Sequence, residues 1–125
     1  MEFMKRLEAE IYALLRIVTG FLFLWHGMQK LFGFPAGMPA GVPAFIVYVG
    51  GPLEFFGGIL VMIGLFTRPV AFVLSGQMAF AYWMAHGFHA LLPVVNQGEL
   101  AALYCFVFLF ISAKGSGIWS ADGVH

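Results

Sequence analysis

Four apolar segments of bilayer-crossing length account for most of this 125-residue chain. They are read at residues 8–32, 44–66, 69–88 and 97–113. Each is close to the ~20 residues that a helix needs to cross ~30 Å of hydrocarbon. With 62% hydrophobic and 10% charged residues and a mean hydropathy of +0.93, the composition is unlike that of soluble domains. The sequence therefore predicts an all-α polytopic membrane protein, an antiparallel bundle of four transmembrane helices forming one domain over residues 1–125.

Charge and cysteine content exclude several classes of function. The formal net charge is +0, so the chain has no excess of basic residues that would attract nucleic acid. The lone Cys105 can form neither an intrachain disulfide nor a Cys-x-x-Cys redox pair. A cleavable signal peptide is the competing interpretation of the first segment, but Arg16 within it and WHGMQK at its end do not fit a plain apolar region. The expected environment of the whole chain is the lipid bilayer.

The segment boundaries and the loop charges predict a topology. The linker at 33–44 repeats Pro and Gly, and Pro69 suits the first helical position of the third span. Asn96 is the predicted N-cap of the fourth helix, with Glu99 at its third position in a relative of the capping box. The loop cations expected on one side of the membrane are Lys5, Arg6, Arg68 and Lys114. Only Lys30 is expected on the other side, so both termini are predicted to face the cytoplasm.

Three polar side chains are predicted at similar depth near the middle of the membrane. A rise of 1.5 Å per residue puts Arg16 ~12 Å into the first span and Glu54 ~15 Å into the second, which runs the opposite way. Gln77 lies ~12 Å into the third span by the same count. One unpaired central charge costs ~2.5–3.5 kcal/mol on insertion scales, so we expect a salt bridge between Arg16 and Glu54. In one interpretation this bridge only fixes helix pairing; in the other, Glu54 handles protons or contacts a ligand.

The stretch GGPLEFFGG surrounds Glu54 with glycines. Gly50, Glu54 and Gly58 are spaced by four residues and lie on one helical face. Small residues at this spacing let a neighbouring helix approach closely. Pro52 removes the hydrogen bond to the Tyr48 carbonyl and is expected to loosen the backbone before Glu54. The pattern predicts that Glu54 points into the bundle.

A second polar group is predicted on the outer side, where the first and third spans end and the fourth begins. Its members are His26, Lys30, His86, His89, Asn96 and Glu99. His26 and Lys30 are four residues apart and share a helix face. His86 and His89 could bind a metal ion together, although two histidines without a third ligand are a weak motif. Alternatively, His26 and His86 could be the axial ligands of a haem. For Lys30 and His89 the alternative is a snorkelling residue at the membrane interface.

Several of these residues stand in motifs that together resemble the DoxX family of small four-helix membrane proteins. In chain order the motifs are Arg16, HGMQK at 26–30, GPLE at 51–54, GLFTR at 64–68, NQGEL at 96–100 and GIWS at 117–120. They cover nearly the whole chain, and Gln97 stands where the family often has a small residue. The site residues that the resemblance implies are Arg16, His26, Lys30, Glu54, Asn96 and Glu99.

The family takes its name from a membrane subunit of a thiosulfate:quinone oxidoreductase, so the resemblance implies a redox function. We expect a cytoplasmic-membrane subunit that binds a quinone or a small sulfur or thiol species from the outer side. Lys30 and His26 would hold the ligand, while Glu54 would relay a proton. Arg16 would hold Glu54 in place. The further residues expected to bind the ligand are His86, Asn96, Glu99 and Gln77.

The expected cofactor is a quinone, with none intrinsic to the chain, and the expected partner is an oxidoreductase subunit or a further copy of this chain. The chain has no strong redox-centre motif of its own. The alternative function is non-enzymatic, either an anchor for a soluble oxidoreductase or a small-molecule permease. A haem-binding electron carrier is a third interpretation.

Overall fold

The computed structural model describes residues 1–34, 37, 41–87 and 98–123. Within these residues the chain is helical and contains no strand, as predicted. In chain order the elements are α1 (Glu2–Arg6), α2 (Glu8–Phe32), a first π-helical turn (Ile46–Gly50), α3 (Gly51–Ile63), α4 (Thr67–Ala81), a second π-helical turn (Tyr82–Gly87) and α5 (Glu99–Lys114). Both α2 and the segment Ile46–Ile63 are long and apolar enough to cross a membrane.

The bounds of α2 are those predicted for the first span, whereas the last helix begins later than predicted. α2 ends where Gly33 adopts a left-handed conformation (φ 65°) and donates its N–H to the Gln29 carbonyl. α5 begins at Glu99, with Gly98 at the N-cap position. The predicted Asn96 cap is therefore wrong, and Asn96 itself lies outside the described residues. Glycine is an acceptable N-cap residue, so the helix does not need to start at an asparagine.

The first π-helical turn precedes α3 because a proline stands at the second position of that helix. Pro52 has no N–H to donate to the Tyr48 carbonyl, so the regular hydrogen-bond ladder cannot pass through it. The chain widens into the π-helical turn Ile46–Gly50 and becomes a regular α-helix from Gly51. Glu54 lies in the first turn of α3. This agrees with the predicted loosening of the backbone before Glu54.

α2 and α3 run antiparallel with their backbones in direct contact. A Cβ added to Gly27 would lie 2.3 Å from the backbone nitrogen of Phe55, and one added to Gly20 would lie 2.6 Å from the Gly58 carbonyl oxygen. Gly58 faces the backbone nitrogen of Leu24 in the same way, at 2.9 Å. No side chain fits at these positions, so the glycines fix the register of the two helices.

α4 packs along α5 in the second antiparallel contact. Ser75 Oγ donates to the Cys105 carbonyl oxygen at 2.7 Å. At the other end of the contact, the Arg68 guanidinium donates to the carbonyl oxygens of Ser112 (3.2 Å) and Ala113 (2.5 Å) in the last turn of α5. The apolar core of the described residues consists of Tyr12, Phe23, Val61, Ala71, Leu74, Met78, Tyr104, Phe108 and Ile111.

Large apolar side chains cover much of the outer surface of the helices. Leu14 is 51% exposed, Phe72 64% and Phe106 67%. Soluble proteins rarely expose contiguous apolar surface of this extent. The outer faces are therefore suited to contact with hydrocarbon, in agreement with the composition.

Candidate functional site

Lys30, Glu54 and Gln77 form a hydrogen-bonded polar cluster between α2, α3 and α4. Lys30 Nζ donates to Glu54 Oε1 at 2.9 Å, and Gln77 Nε2 donates to Glu54 Oε2 at 2.9 Å. The side chain of Glu54 is 4% exposed and that of Lys30 is 12% exposed. Both carboxylate oxygens are thus engaged, each by a different helix. Such pairing is what makes a charge in an apolar environment tolerable.

Gly50 leaves the space that the polar cluster occupies. A Cβ at Gly50 would lie 3.1 Å from Glu54 Oε2 and 3.4 Å from Gln77 Nε2. A side chain there would press on the hydrogen bond between these two residues. The predicted glycine face around Glu54 therefore has two roles: Gly50 leaves room for the cluster, and Gly58 allows the contact with α2.

The side-chain amide of Gln77 has one atom that the described residues leave without a partner. Its nitrogen has to face Glu54, because a carboxylate paired with Lys30 accepts hydrogen bonds. The other atom, Oε1, is buried and has no hydrogen-bond partner among the described residues. An unsatisfied buried acceptor costs ~1–3 kcal/mol, so a donor from a ligand would be favourable at this position.

Aromatic side chains stand beside the polar cluster. His26 lies one turn before Lys30 on α2, and its ring centroid is 5.9 Å from that of Tyr104 and 6.2 Å from that of Phe23. The sequence analysis identified His26 but missed Tyr104. A tyrosine inside an apolar segment has no distinguishing motif, so only the packing of α5 reveals its position.

Arg16 lies apart from the polar cluster and binds the segment that follows α5. It is fully buried, with 0% exposure. Its guanidinium donates to the carbonyl oxygens of Val61, Ser116, Ile118 and Trp119. The predicted salt bridge between Arg16 and Glu54 is therefore wrong. Backbone carbonyl dipoles stabilise the charge of Arg16, and its role is to fold the C-terminal segment back against α2 and α3.

The wrong pairing has a geometric cause. The prediction measured the depth of each residue from the end of its own apolar segment and took both ends as the membrane surface. In the structure Gly27 is level with Phe55, next to Glu54. That position is eleven residues beyond Arg16, or ~16 Å along α2 at 1.5 Å per residue. Lys30 is the cation that lies within reach of Glu54 at this register.

Of the remaining residues predicted to bind the ligand, only the side chain of Glu99 is described. Glu99 is exposed at the first residue of α5 and shares no hydrogen bond or ion pair with Lys30, Glu54 or Gln77. His86 belongs to the second π-helical turn. His89 and Asn96 lie outside the described residues. Among the described residues, no three His, Cys, Asp or Glu side chains are placed to hold a metal ion.

An apolar groove of about 460 Å³ lies between α3 and α4. It is lined by Pro52, Leu53, Phe56, Gly57, Leu60, Pro69, Val70, Val73 and Leu74. Gly57 faces Leu74 closely, since a Cβ at Gly57 would lie 2.8 Å from Leu74 Cδ2. The two helices are antiparallel, so one further turn along each leads to Glu54 and Gln77. The residues of the polar cluster do not line the groove, but Glu54 and Gln77 each lie one helical turn from it.

The family model described as DoxX matches residues 11–87, a range that contains Lys30, Glu54 and Gln77. The chain belongs to the DoxX family. This confirms the resemblance that its sequence motifs indicated. The DoxX match covers α2 from its fourth residue onwards, α3, α4 and the two π-helical turns, and so includes part or all of every element that contributes to the polar cluster.

Three relatives of this DoxX protein match most of its length. An uncharacterised protein of Haemophilus influenzae is 40% identical over 116 residues, covering 88% of this chain and 87% of its own. A Bacillus subtilis protein named "Putative oxidoreductase CatD" is 38% identical over 117 residues, covering 87% and 82% respectively. The Escherichia coli protein named "Inner membrane protein YqjF" is 27% identical over 128 residues, covering 95% of each. No solved structure matches the chain. The family and the Escherichia coli relative identify a membrane protein.

Proposed function

We propose that this DoxX protein is an integral membrane subunit of a quinone-linked redox system, with the quinone headgroup bound at the polar cluster. The observation that carries the proposal is the buried, hydrogen-bonded cluster of Lys30, Glu54 and Gln77, one helical turn from an apolar groove. A quinone combines a ring bearing two carbonyl groups with a long apolar tail, so it needs a site with both characters. The oxidoreductase name of the Bacillus subtilis relative supports a redox role.

Each member of the polar cluster offers the ligand a different interaction. Lys30 has ammonium donors beyond the one that faces Glu54, and one of them can donate to a quinone carbonyl. Gln77 Oε1 can accept a hydrogen bond from a hydroxyl of the reduced ligand. Glu54 can hold or pass on a proton at its carboxylate. A bound quinone would supply the two-electron redox chemistry, with the electrons coming from a substrate or from a partner oxidoreductase subunit.

The polar cluster is better suited to a neutral ligand than to a sulfur oxyanion. Lys30 is already paired with Glu54 at 2.9 Å, so the two residues together present no net positive charge. An oxyanion bound there would bring a second negative charge towards a buried carboxylate, which is unfavourable where the dielectric constant is low. Among the two ligand classes expected from the sequence, we therefore favour the quinone.

We infer that the helices form a four-helix bundle that crosses the inner membrane several times, with both termini in the cytoplasm. Lys114 Nζ lies 3.6 Å from Glu8, and Arg68 donates to the Lys114 carbonyl, so these cations gather at one end of the molecule. Lys30 lies at the opposite end of α2. This asymmetry and the positive-inside rule support the orientation. The name of the Escherichia coli relative supports the inner membrane.

Quinone titration of the purified protein in lipid nanodiscs tests the proposal. We expect saturable binding of both a short-tailed and a long-tailed quinone, each in its oxidised and its reduced (quinol) form. Glu54→Gln and Gln77→Leu should each weaken binding of the two quinols about tenfold, or ~1.4 kcal/mol, because the quinol hydroxyl loses a carboxylate or an amide acceptor. Gly76→Ala is the matched control, because it lies beside Gln77 on α4 and an added Cβ would have nothing within 4 Å.

A groove variant separates the binding of the tail from that of the headgroup. Val73→Phe narrows the groove without touching the polar cluster. It should therefore lower the affinity for the long-tailed quinone and leave the affinity for the short-tailed quinone unchanged. Equal quinol affinities for the wild type and a folded Glu54→Gln variant would refute the proposal. That outcome would favour the non-enzymatic anchor, in which the polar cluster only fixes helix pairing.

A further inference from the structure

A polar pocket of about 390 Å³ lies at the end of α2 opposite to the polar cluster, where α1, the start of α2 and the residues after α5 meet. Its defining residues are Lys5, Arg6, Glu8, Tyr12, Lys114 and Gly117. Gly117 has a φ of 70°, and a Cβ there would lie 3.0 Å from Tyr12 Cδ2. Glycine thus keeps this wall of the pocket open. The proposed quinone site uses none of these residues.

Three cations line the pocket, Lys5, Arg6 and Lys114. Lys5 pairs with Glu2 and Lys114 with Glu8, each at 3.6 Å, so the surplus positive charge is that of Arg6. Lys114 Nζ lies 3.6 Å from Glu8 and 5.2 Å from the centroid of the Tyr12 ring, which holds the ammonium group at the pocket. In the described part of the chain, Arg6 forms no ion pair with an acid. The pocket therefore carries surplus positive charge, and its expected ligand is an anion.

The pocket also borders surface that is suited to hydrocarbon. The rings of Tyr12 and Phe110 touch edge to face, with centroids 5.8 Å apart, and Phe110 is 52% exposed. Phe106 and Phe110 follow one another along α5, and Lys114 comes one turn further. On α1 and just after it, the exposed apolar residues are Phe3, Met4 and Leu7. A ligand could therefore place hydrocarbon along α5 and its charge among the cations.

We propose that this pocket binds the phosphate-bearing headgroup of an anionic glycerophospholipid. A phosphate presents several acceptor oxygens, which match the donors of Arg6 and Lys114. The pocket has room for the headgroup alcohol as well as the phosphate, and the acyl chains lie along Phe106 and Phe110. Basic residues directly beside a membrane-crossing helix attract anionic lipid. The bound lipid ties α1 to the end of α5.

Titration of the purified full-length protein in a neutral detergent tests this site. The ligands are phosphatidylglycerol, phosphatidylcholine and inorganic phosphate, and binding is followed by native mass spectrometry and by the shift in unfolding temperature. We expect phosphatidylglycerol to bind at least tenfold more tightly than phosphatidylcholine. Arg6→Gln and Lys114→Gln should each weaken phosphatidylglycerol binding about fivefold, the effect of one basic residue near an anionic lipid. Arg68→Gln is the charge control, since it removes a cation from the same end of the molecule but outside the pocket lining. Because Arg68 also donates to the Lys114 carbonyl, an unchanged helix content by circular dichroism is required of this variant.

Two outcomes would overturn the proposal outright. Equal affinities for the two lipids would show that the protein does not recognise the charge of the headgroup. If Arg68→Gln weakened phosphatidylglycerol binding as much as Arg6→Gln does, the net charge of this end of the molecule, and not the pocket, would attract the lipid. A third outcome is that inorganic phosphate competes with phosphatidylglycerol through Arg6 and Lys114. It would assign the pocket to a soluble phosphate compound and overturn the lipid as its source. None of these measurements depends on quinone binding.

Discussion

The Nζ atom of Lys30 lies 2.9 Å from Oε1 of Glu54 and joins the last turn of α2 to the first turn of α3. The two ends of this pair differ in exposure, at 12% for the Lys30 side chain and 4% for that of Glu54. A lysine can carry its charge towards water on its flexible stem, whereas the shorter glutamate has no such route. Removing one member of the pair should therefore have a different effect from removing the other.

We expect Lys30→Met to destabilise the protein more than Glu54→Gln does. Lys30→Met leaves a buried carboxylate without its cation, which costs ~3 kcal/mol or more, whereas in Glu54→Gln the ammonium group can turn towards water. The double variant Lys30→Met/Glu54→Gln should recover most of the loss, because it leaves no unpaired charge. Denaturant unfolding in detergent measures the free energy of unfolding of the two single variants and the double variant. A double variant as unstable as Lys30→Met would contradict this account of the pair.

Arg16→Lys should release the C-terminal segment although it keeps the positive charge. A lysine cannot reproduce the planar fork that reaches the carbonyl oxygens of Ser116, Ile118 and Trp119. Loss of two hydrogen bonds from a charged donor costs ~3 kcal/mol or more. Limited proteolysis should cut this segment faster in the variant. The control is Arg68→Lys at an exposed site, where we expect the free energy of unfolding to fall by ~1 kcal/mol or less. If Arg16→Lys resisted the protease as well as the wild type does, the prediction would be wrong.

The sequence predicts individual helices of this protein well because their signals are local. The apolar run that ends before Gly33 predicts α2, and Pro52 predicts the irregular backbone before Glu54. Contacts between helices depend on register, which several backbone contacts determine together. The pattern of glycines indicates that α2 and α3 approach closely, but not that Gly27 would be level with Phe55. For that reason the sequence analysis found Lys30, Glu54 and Gln77 as candidates without finding that they bind one another.

Gly27→Ala should be strongly destabilising, since the added Cβ would lie 2.3 Å from the backbone nitrogen of Phe55. Backbone cannot move aside as a flexible side chain can, so α2 and α3 would have to separate, at a cost of ~3 kcal/mol. Gly76→Ala is the matched control, because an added Cβ has nothing within 4 Å. It should be neutral or stabilising by up to ~1 kcal/mol through helix propensity. The unfolding temperatures of the two variants should shift in opposite directions or differ by several degrees. Equal shifts would contradict the close contact between α2 and α3.

Gln77→Leu should separate the ligand-binding role of the polar cluster from its structural role. The substitution removes the hydrogen bond from Nε2 to Glu54 Oε2, worth ~1.5–3 kcal/mol, and also removes the unsatisfied buried Oε1, which costs ~1–3 kcal/mol. The substitution also leaves the buried Glu54 Oε2 without a donor among the described residues, so the two effects cancel only in part and the free energy of unfolding should fall by ~1–3 kcal/mol. Quinol affinity should also fall about tenfold, because the acceptor for the hydroxyl of the reduced ligand is gone. If Gln77→Leu lost stability but kept the quinol affinity of the wild type, Gln77 would serve only to hold Glu54 in place.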